Sequence, residues 1–351
     1  MNRITVSASR SYQVLIQERL LSRAGALAAQ CVAPCRAMLV SDDQVFSLYG
    51  RQVCASLEKA GFAPEAFVFP HGEQQKTLQT YGALLNRLCD GHFTRSDVIF
   101  ALGGGVTGDL AGFAAATYLR GIRLVQLPTS LLAMVDSSVG GKTAIDLPGG
   151  KNQAGCFYQP SLVLCDPDVL STLPEEEYRC GCAEIIKYAL LGSEALFASL
   201  RETPVKEQAA DVISACVSMK RDIVQADEYD RGRRQTLNLG HTLGHAIESC
   251  SGFSILHGQA VAAGMAIILR AAAAKGFCSR ETAQQGLALL TQYKLPITTD
   301  YSPEALYQAA LSDKKLEGGT LHLIVPEAIG RCRIVDIPAF QLKDWILAGE
   351  A

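Results

Sequence analysis

Three of the six histidines in the chain lie within one short stretch, residues 237–258, and their spacing is typical of metal chemistry. His241 and His245 are four residues apart, among apolar residues that recur at helical spacing, so both imidazoles should lie on one helix face. His257 follows a Ser-Gly-Phe-Ser turn signal and precedes a second apolar run, which predicts that it starts the next helix. A helix–turn–helix pair can return it to the first two histidines.

A carboxylate in an apolar setting lies upstream of these histidines. Glu184 and Lys187 fall on one predicted helix face, with Ala and Ile around the glutamate. One Glu with two His is a common catalytic zinc set that leaves a fourth position for water or substrate. Spacing alone selects His241 and His245 as the histidine pair. The alternative is that the histidines cap helices or hydrogen-bond within a polar core.

Composition and charge favour work on small molecules. The chain has 351 residues, enough for about two domains, with 48% hydrophobic and 19% charged residues. A net charge of −3 and the lack of any run of five or more basic residues argue against a nucleic-acid or anionic-membrane partner. The amino terminus lacks a signal-peptide layout and no apolar run reaches membrane-spanning length, so we expect a cytoplasmic protein.

The twelve cysteines are expected to be reduced and structural. Most stand at apolar helix or strand positions, where a free thiol behaves as a small hydrophobe. The close pairs, Cys31 with Cys35 and Cys180 with Cys182, do not have a zinc-knuckle spacing, and there is no CxxC motif.

The first half of the chain alternates short β-rich runs with helical runs, which predicts βαβ units and a mostly parallel sheet covered by helices. Beyond residue 166 helical periodicity dominates, with one later strand signal at 321–325. The prediction is therefore an α/β domain over residues 1–170 and an all-α domain over 171–351. The predicted strands of the first domain are 37–40, 66–69, 98–102 and 123–127; the predicted helices of the second are 175–191, 205–226, 235–250, 260–275 and 281–293.

A glycine motif after the third of these strands predicts a dinucleotide site. Gly103, Gly105 and Gly108 satisfy G-x-G-x-x-G between a strand and a helix, where backbone amides and the helix amino terminus can hold a pyrophosphate. No acidic residue follows about 20 residues later to take the ribose, so we expect a variant dinucleotide fold. The candidates for the nucleoside end are Asp42, Glu73 and Lys76. A tight βα turn without a ligand is the alternative for the glycines.

Residues 128–160 are polar and glycine-rich, and a structured loop of this length within a domain is usually functional. Lys142 and Lys151 each follow a Gly-Gly pair, which lets backbone and ammonium approach an anion closely. With Arg120 nearby in sequence and Asn152 as a further polar group, they predict a pocket for phosphate or carboxylate.

More cations occur in the second half. Arg234 stands four residues before Asn238, close to the histidine stretch, while Lys220 and the pair Lys314 and Lys315 lie elsewhere. Each alone is typical of a solvated surface charge. Their functional interpretation depends on the motifs around them.

The motifs together resemble the 3-dehydroquinate synthase family of sugar-phosphate cyclases. The resemblance extends from about residue 40 to residue 329 and implies a Rossmann-like NAD-binding domain, a helical domain, a divalent zinc or cobalt ion in the cleft between them, and a homodimer. It depends on the ordered strings GGGVTGDLAGF, LPTSLLAMVDSSVGGKTAID, GKNQAGCFYQP, CAEIIKYALL, LNLGHTLGHAIE, LHGQAVAAGM and DKK.

The resemblance implies a lyase of the shikimate pathway, which leads to aromatic amino acids. Its substrate would be 3-deoxy-D-arabino-heptulosonate 7-phosphate and its products 3-dehydroquinate and phosphate. NAD would oxidise the C5 hydroxyl, phosphate would leave, the ketone would be reduced again, and an aldol step would close the ring. The alternatives are another NAD- and metal-dependent sugar-phosphate cyclase, a related polyol dehydrogenase, or a catalytically silent NAD-binding or scaffold protein.

The resemblance also implies roles for residues. The metal ligands would be Glu184, His241 and His257, so His245 becomes a substrate-side acid/base residue and the pair chosen from spacing is divided between two roles. The implied catalytic residues are His245, Lys142, Asp230 and Asn238. Substrate-binding positions, where cations clamp carboxylate and phosphate, are Arg120, Lys142, Lys151, Asn152, Lys187, Lys220, Arg234, Asn238, His245, Lys314 and Lys315. NAD-side positions are Asp42, Glu73, Lys76, Gly104, Gly105, Val106, Asp109, Thr129, Ser130, Leu132, Asp136 and Thr172.

Four positions depart from the family pattern. Gln44 stands where Asn is usual, Ser130 where Thr is usual, and Gln259 where Glu often follows the His-Gly pair. Asp230 replaces a Glu that has been proposed as a proton acceptor, and it is one methylene shorter, so its role as an acceptor stays open.

Overall fold

The computed structural model describes residues 1–312 and 319–350. The chain forms two compact units: Met1–Leu173 with Lys220–Tyr229, and Pro174–Met219 with Asp230–Ala351. The first division lies close to the predicted boundary after residue 170. The segment Lys220–Tyr229, which we had placed in the second domain, instead belongs to the first unit.

Hydrogen bonds explain why this segment belongs to the first unit. The side-chain oxygen of Gln225 accepts a hydrogen bond from the Ser7 backbone amide at 2.8 Å, and Glu228 accepts one from the Ser9 amide at 2.7 Å. The amide of Gln159 also donates to Glu228 at 2.9 Å. These partners are far apart in sequence, and composition gives no sign of them.

A seven-stranded sheet forms the core of the first unit. Its strands are β1 (Asn2–Ser7), β2 (Ser11–Ile16), β3 (Arg36–Asp42), β4 (Ala63–Phe69), β5 (Val98–Gly103), β6 (Arg123–Pro128) and β9 (Leu162–Cys165). They lie in the order β1-β2-β9-β6-β5-β3-β4. Only β1 and β2 pair antiparallel; every other neighbouring pair is parallel. Its inner strands are continuous apolar runs because helices cover parallel sheets on both faces. The predicted alternation of strand and helix is confirmed.

The longer helices of this unit bury apolar side chains, whereas the three-residue second helix buries none. In the fourth, Leu84 and Leu88 are fully buried, and the Thr77 hydroxyl caps the helix by accepting from the Thr80 amide at 3.2 Å. The helices are α1 (Ala24–Ala28), α2 (Asp43–Val45), α3 (Arg51–Lys59), α4 (Leu78–Asp90) and α5 (Gly105–Thr117).

Residues 128–160 are not the loop that we expected. Two antiparallel strands, β7 (Lys142–Leu147) and β8 (Gly150–Phe157), form a hairpin there. Strand β8 is half exposed and contains two glycines and one Asn, so it lacks the alternation of apolar residues by which strands are predicted.

Helix α10 is the central element of the second unit. It is apolar nearly all round, and α6, α9, α11 and α13 pack against it. As predicted, this helix begins at His257. The helices are α6 (Glu175–Gly192), α7 (Glu194–Glu202), α8 (Ala209–Ala226), α9 (His241–Cys250), α10 (His257–Ala274), α11 (Arg280–Gln292), α12 (Pro303–Ser312) and α13 (Leu342–Glu350); the part of α8 from Lys220 onward belongs to the first unit.

The second unit also contains a hairpin, so it is mainly helical but not purely so. Strands β10 (Thr320–Ala328) and β11 (Arg331–Pro338) pair antiparallel. The first covers the strand signal at 321–325, and the second was not predicted. Lys314 and Lys315 lie outside the described residues. Among the described helices, none has the length and apolarity needed to cross a bilayer.

Candidate functional site

Three helices of the second unit bring the predicted metal ligands together. Glu184 lies in the middle of α6, His241 opens α9 and His257 opens α10. One ligand-capable atom from each residue lies within 4.8 Å of the others. The Nε2 atoms of His241 and His257 are each 3.5 Å from Oε1 of Glu184.

This geometry fits a divalent metal. Four-coordinate zinc with bonds of about 2.0–2.1 Å holds its ligand atoms about 3.4 Å apart, close to the distances in this cluster. The Nδ1 atom of His241 lies 3.1 Å from the Leu239 carbonyl oxygen, and because a carbonyl only accepts, Nδ1 carries the proton. The lone pair of this imidazole is then on Nε2, the atom that faces Glu184.

A close helix contact positions His257. Gly258, the next residue, lies against α6: a Cβ atom there would be 2.3 Å from Cys180 Cα and 2.5 Å from the Cys180 carbonyl oxygen. Only glycine permits this approach. It sets α10 close to the helix that carries Glu184, one turn beyond Cys180.

The centre of the cluster is buried and strongly charged. Glu184 is 1% exposed, and Lys187 Nζ lies 2.5 Å from its second oxygen, Oε2. Burial lowers the pKa of His257, but hydrogen bonds with Glu184 and Glu248 raise it more, and the net result is a pKa of about 9. Without a metal this histidine is therefore a cation at neutral pH.

The remaining predicted residues of the second unit lie in or near the same stretch. The His245 ring is centred 5.6 Å from that of His241 and 6.0 Å from that of His257. Arg234 and Asn238 belong to the 3-10 turn Arg233–Asn238 that precedes α9, and the Arg234 side chain is buried. Asp230 is half-buried with a φ of 59°.

The sequence analysis missed Glu248. This carboxylate is 2% exposed, and its Oε2 lies 3.3 Å from Nδ1 of His257. The signal was present: Glu248 is three residues after His245 and seven after His241, so all three side chains lie on one face of α9.

In the first unit, the candidate nucleotide-binding residues lie where the order of strands in the sheet reverses. The chain passes from β3 to β4 on one side of β3, and then to β5 on the other side. Ligands of open α/β sheets bind at the carboxyl ends of the strands at such a switch point. Asp42 ends β3 and caps α2 by accepting from the Val45 amide at 2.9 Å, and Gly104 and Gly105 open α5 directly after β5.

The other nucleotide-side residues surround this edge. Thr129 and Ser130 follow β6, and the Thr129 amide donates to the Gly103 carbonyl at 2.9 Å. The Thr172 hydroxyl lies 2.6 Å from that of Tyr49. Leu132 precedes the helical turn Ala133–Ser137, which contains Asp136, and Val106 lies in the first turn of α5. Backbone amides at a helix start and nearby hydroxyls fit a pyrophosphate.

Lys76 joins the glycine motif to the hairpin. Its ammonium lies 2.6 Å from Asp109 on α5 and 2.5 Å from the Asn152 amide oxygen on β8. Burial lowers the pKa of Lys76, but Asp109 and Glu73 raise it more, so the group remains a cation. Burial raises the pKa of Asp109, and Lys76 opposes this effect. Lys151 lies 3.7 Å from Glu73.

The other predicted substrate-binding cations of this unit differ in burial and in ion pairing. Lys220 is buried and forms an ion pair with Asp136. Lys142 is exposed at the start of β7. Arg120 is exposed in a turn after α5 with a φ of 67°, an uncommon conformation for a residue other than glycine.

Comparison with known proteins identifies the family. The model of the 3-dehydroquinate synthase N-terminal region matches residues 66–180, and that of the C-terminal region matches residues 181–316. A 3-dehydroquinate synthase of Enterococcus faecalis is 42% identical over 344 residues, which cover 96% of each chain. The chain belongs to the 3-dehydroquinate synthase family. A family member from Pelobacter propionicus is also 42% identical and covers 97% of this chain and 98% of its own.

Solved structures of other enzymes share the fold of this chain. A 2-epi-5-epi-valiolone synthase from Streptomyces hygroscopicus with bound NAD⁺ and Zn²⁺ superposes with a TM-score of 0.89 at 28% identity, covering 99% of both chains. A 2-deoxy-scyllo-inosose synthase complexed with carbaglucose-6-phosphate, NAD⁺ and Co²⁺ gives 0.87 at 25% identity, covering 98% of this chain and 99% of its own. An iron-containing alcohol dehydrogenase gives 0.68 at 16% identity and shares the fold alone; 96% of this chain and 97% of that one are covered.

Proposed function

We propose that the chain converts 3-deoxy-D-arabino-heptulosonate 7-phosphate to 3-dehydroquinate and phosphate, as a lyase. The observation that carries the proposal is the cluster of Glu184, His241 and His257, with its metal-binding geometry, in a chain 42% identical to 3-dehydroquinate synthases over nearly its whole length.

We propose NAD and one divalent ion, zinc or cobalt, as cofactors. Related synthases bind NAD⁺ with Zn²⁺ or Co²⁺, and the ligand set here offers two imidazoles and a carboxylate, which suit these metals. When bound, NAD supplies a reversible hydride acceptor, and the metal supplies a Lewis acid at the substrate oxygen. Glu184, His241 and His257 would hold the metal, and the start of α5 would hold the pyrophosphate of NAD.

The substrate carries a carboxylate and a phosphate, and the chain supplies cations for both. Arg234 and Lys187 are buried within the second unit, where a cation interacts strongly with an anion because little water screens it. Lys142, Lys151, Lys220 and Arg120 offer further positive charge from the first unit. We propose that they hold and orient the two anionic ends, so that the substrate hydroxyls have one defined position.

Proton transfers need a group near the substrate that is not a metal ligand. His245 lies on the same face of α9 as His241, and Asn238 precedes that helix. We propose His245 as the acid/base residue and Asn238 as a hydrogen-bonding partner of the substrate, with Lys142 as a second catalytic group. Asp230 has a shorter reach than the Glu that it replaces, and its role as a proton acceptor stays a prediction.

Two rival activities share the fold. Another sugar-phosphate cyclase would use the same cofactors on a different sugar phosphate, and a polyol dehydrogenase would release NADH. Sequence identity favours 3-dehydroquinate synthase activity over these rivals. This chain is 42% identical to 3-dehydroquinate synthases but 25–28% identical to the two other cyclases. A small-molecule sugar phosphate is the substrate class in each cyclase case. Homodimerisation, a cytoplasmic location and the lack of a nucleic-acid partner stay predictions.

The test is phosphate release from 3-deoxy-D-arabino-heptulosonate 7-phosphate with catalytic NAD, before and after chelation, with NADH absorbance followed in the same cuvette. We expect metal-dependent phosphate release with no net NADH. Absence of phosphate release from this substrate would favour a different cyclase. Steady NADH accumulation with a polyol as substrate would indicate a polyol dehydrogenase instead.

A further inference from the structure

Glu248 is a buried carboxylate for which the proposed reaction has no role so far. It is 2% exposed and lies on α9, on the face that also carries His241 and His245. Burying a carboxylate is costly unless it has a partner. Its contact with His257 Nδ1, at 3.3 Å, is therefore a specific structural feature.

The two ring nitrogens of His257 face different carboxylates. Nδ1 faces Glu248 at 3.3 Å, and Nε2 faces Glu184 at 3.5 Å. An imidazole that binds a metal through one nitrogen keeps its N–H on the other nitrogen. When Nδ1–H donates to Glu248, the lone pair is on Nε2, directed toward the other two ligand atoms.

His257 has more need of such a contact than His241. The Nδ1 atom of His241 faces the Leu239 backbone carbonyl, and the side chain is 12% exposed. The His257 side chain is 33% exposed and starts its helix, so fewer atoms confine its ring. A side chain, rather than the backbone, holds the second ligand.

We propose that Glu248 is a positioning residue that fixes the tautomer and ring orientation of His257 for metal binding. The inference deepens the proposed function and rests on its metal site. Partners of this kind orient histidine ligands and raise their basicity, and their loss typically weakens metal binding by about 10–100-fold.

Direct ligation by Glu248 is the competing interpretation. His245, Glu248 and His257 also place one ligand-capable atom each within 4.8 Å of the others. Glu248 faces the Nδ1 side of His257, however, whereas Glu184 and His241 lie together on the Nε2 side. Glu248 therefore lies outside the group of ligand atoms formed by Glu184 Oε1 and the Nε2 atoms of His241 and His257.

The experiment compares metal binding by the whole chain and by Glu248→Gln, Glu248→Ala and Glu248→Asp, using Zn²⁺ in competition with a chromophoric chelator. Glu281→Gln is the matched control, because it makes the same change at an exposed carboxylate of α11 in the same unit. We expect dissociation constants about 10–100-fold higher for Gln and Ala and unchanged for the control. Asp keeps the charge but loses reach, so a weakened Glu248→Asp variant separates orientation from simple charge.

A spectroscopic measurement tests positioning independently of affinity. In the Co²⁺-loaded protein, each histidine bound through Nε2 has one exchangeable Nδ1 proton with a shifted NMR signal. We expect two such signals, one of which disappears through solvent exchange in Glu248→Ala. If the unaltered chain binds neither metal, the proposed metal site is wrong. If it binds metal, and the Glu248 variants keep its affinity and both signals, the role of Glu248 is wrong.

Discussion

The contact between α10 and α6 leads to a sharp prediction for Gly258→Ala. The added Cβ would lie 2.3 Å from Cys180 Cα and 2.5 Å from the Cys180 carbonyl oxygen. Both atoms are backbone, so neither can rotate away. To restore an ordinary contact of about 3.5 Å, the two helices must separate locally by about 1.2 Å.

The displacement acts directly on the proposed metal site. Overpacking of this kind costs about 1–3 kcal/mol in the free energy of unfolding. The larger effect is on the ligands, since His257 is the next residue and lies 3.5 Å from Glu184. Metal sites tolerate distance errors of only about 0.2 Å, so a shift of about 1 Å should weaken zinc binding by at least about tenfold.

Gly82→Ala provides the matched control. Gly82 lies inside α4 with no atom within 4 Å of a built Cβ, so alanine should stabilise the protein by about 0.5–1 kcal/mol and leave metal binding unchanged. The assays are urea unfolding and zinc competition with a chelator. Unchanged stability and zinc affinity in Gly258→Ala would refute the argument that this glycine contact sets the ligand geometry.

Three further outcomes follow from buried charges and thiols. Lys76→Met should lower the free energy of urea unfolding by about 3 kcal/mol, because Asp109 loses its buried partner. Lys343→Met breaks an exposed pair with Glu304 and should cost much less, because water screens that pair; equal costs for the two variants would contradict this. The pKa of His257 is about 9 in the folded, metal-free protein. Its positive charge therefore stabilises the fold fully at pH values below the ordinary pKa of histidine, and this stabilisation is lost as the pH rises through about 9. Zinc binding at neutral pH should therefore release a proton, detectable by calorimetry in buffers of different protonation enthalpy; heats independent of buffer would count against it. Burial raises the pKa of Cys182 to about 12. A thiol reagent should therefore label this cysteine far more slowly than the exposed cysteines of the native protein. Mass spectrometry measures the labelling, and rapid modification of Cys182 would exclude a buried thiol.

The elements with a clear local signal were predictable from the sequence. Strands β3, β5 and β6 are short apolar runs between turn signals, and α10 is an apolar run with a histidine at its start. These signals are local, since each depends on residues within one turn or one strand. The same holds for the glycine motif, which lies between β5 and α5 as expected.

The strands that escaped prediction depend on their partner strands. In β8 the glycines and polar residues read as a loop, and only pairing with β7 makes the segment a strand. β1 is an antiparallel edge strand with most residues exposed. Pairing of this type is decided by the partner strand, which a local pattern does not contain.

Long-range hydrogen bonds were equally invisible in the sequence. The segment Lys220–Tyr229 continues a helical pattern, and its membership of the first unit depends on partners such as Ser7 and Ser9. In the second unit, the histidine cluster could be predicted, but the direction of each ring could not. Ring direction depends on the Nδ1 contacts with Leu239 and Glu248, which only the folded chain provides.

The charges around His257 explain how one cluster can exist both with and without a metal. Glu184 and Glu248 are two buried carboxylates, and Lys187 together with protonated His257 supplies two positive charges. The four groups are then balanced, which limits the cost of burying them. A divalent ion would displace the proton of His257 and leave one net positive charge among these groups. Such a charge favours an anionic substrate at the same place, so metal loading and substrate attraction are coupled through the proton of a single histidine.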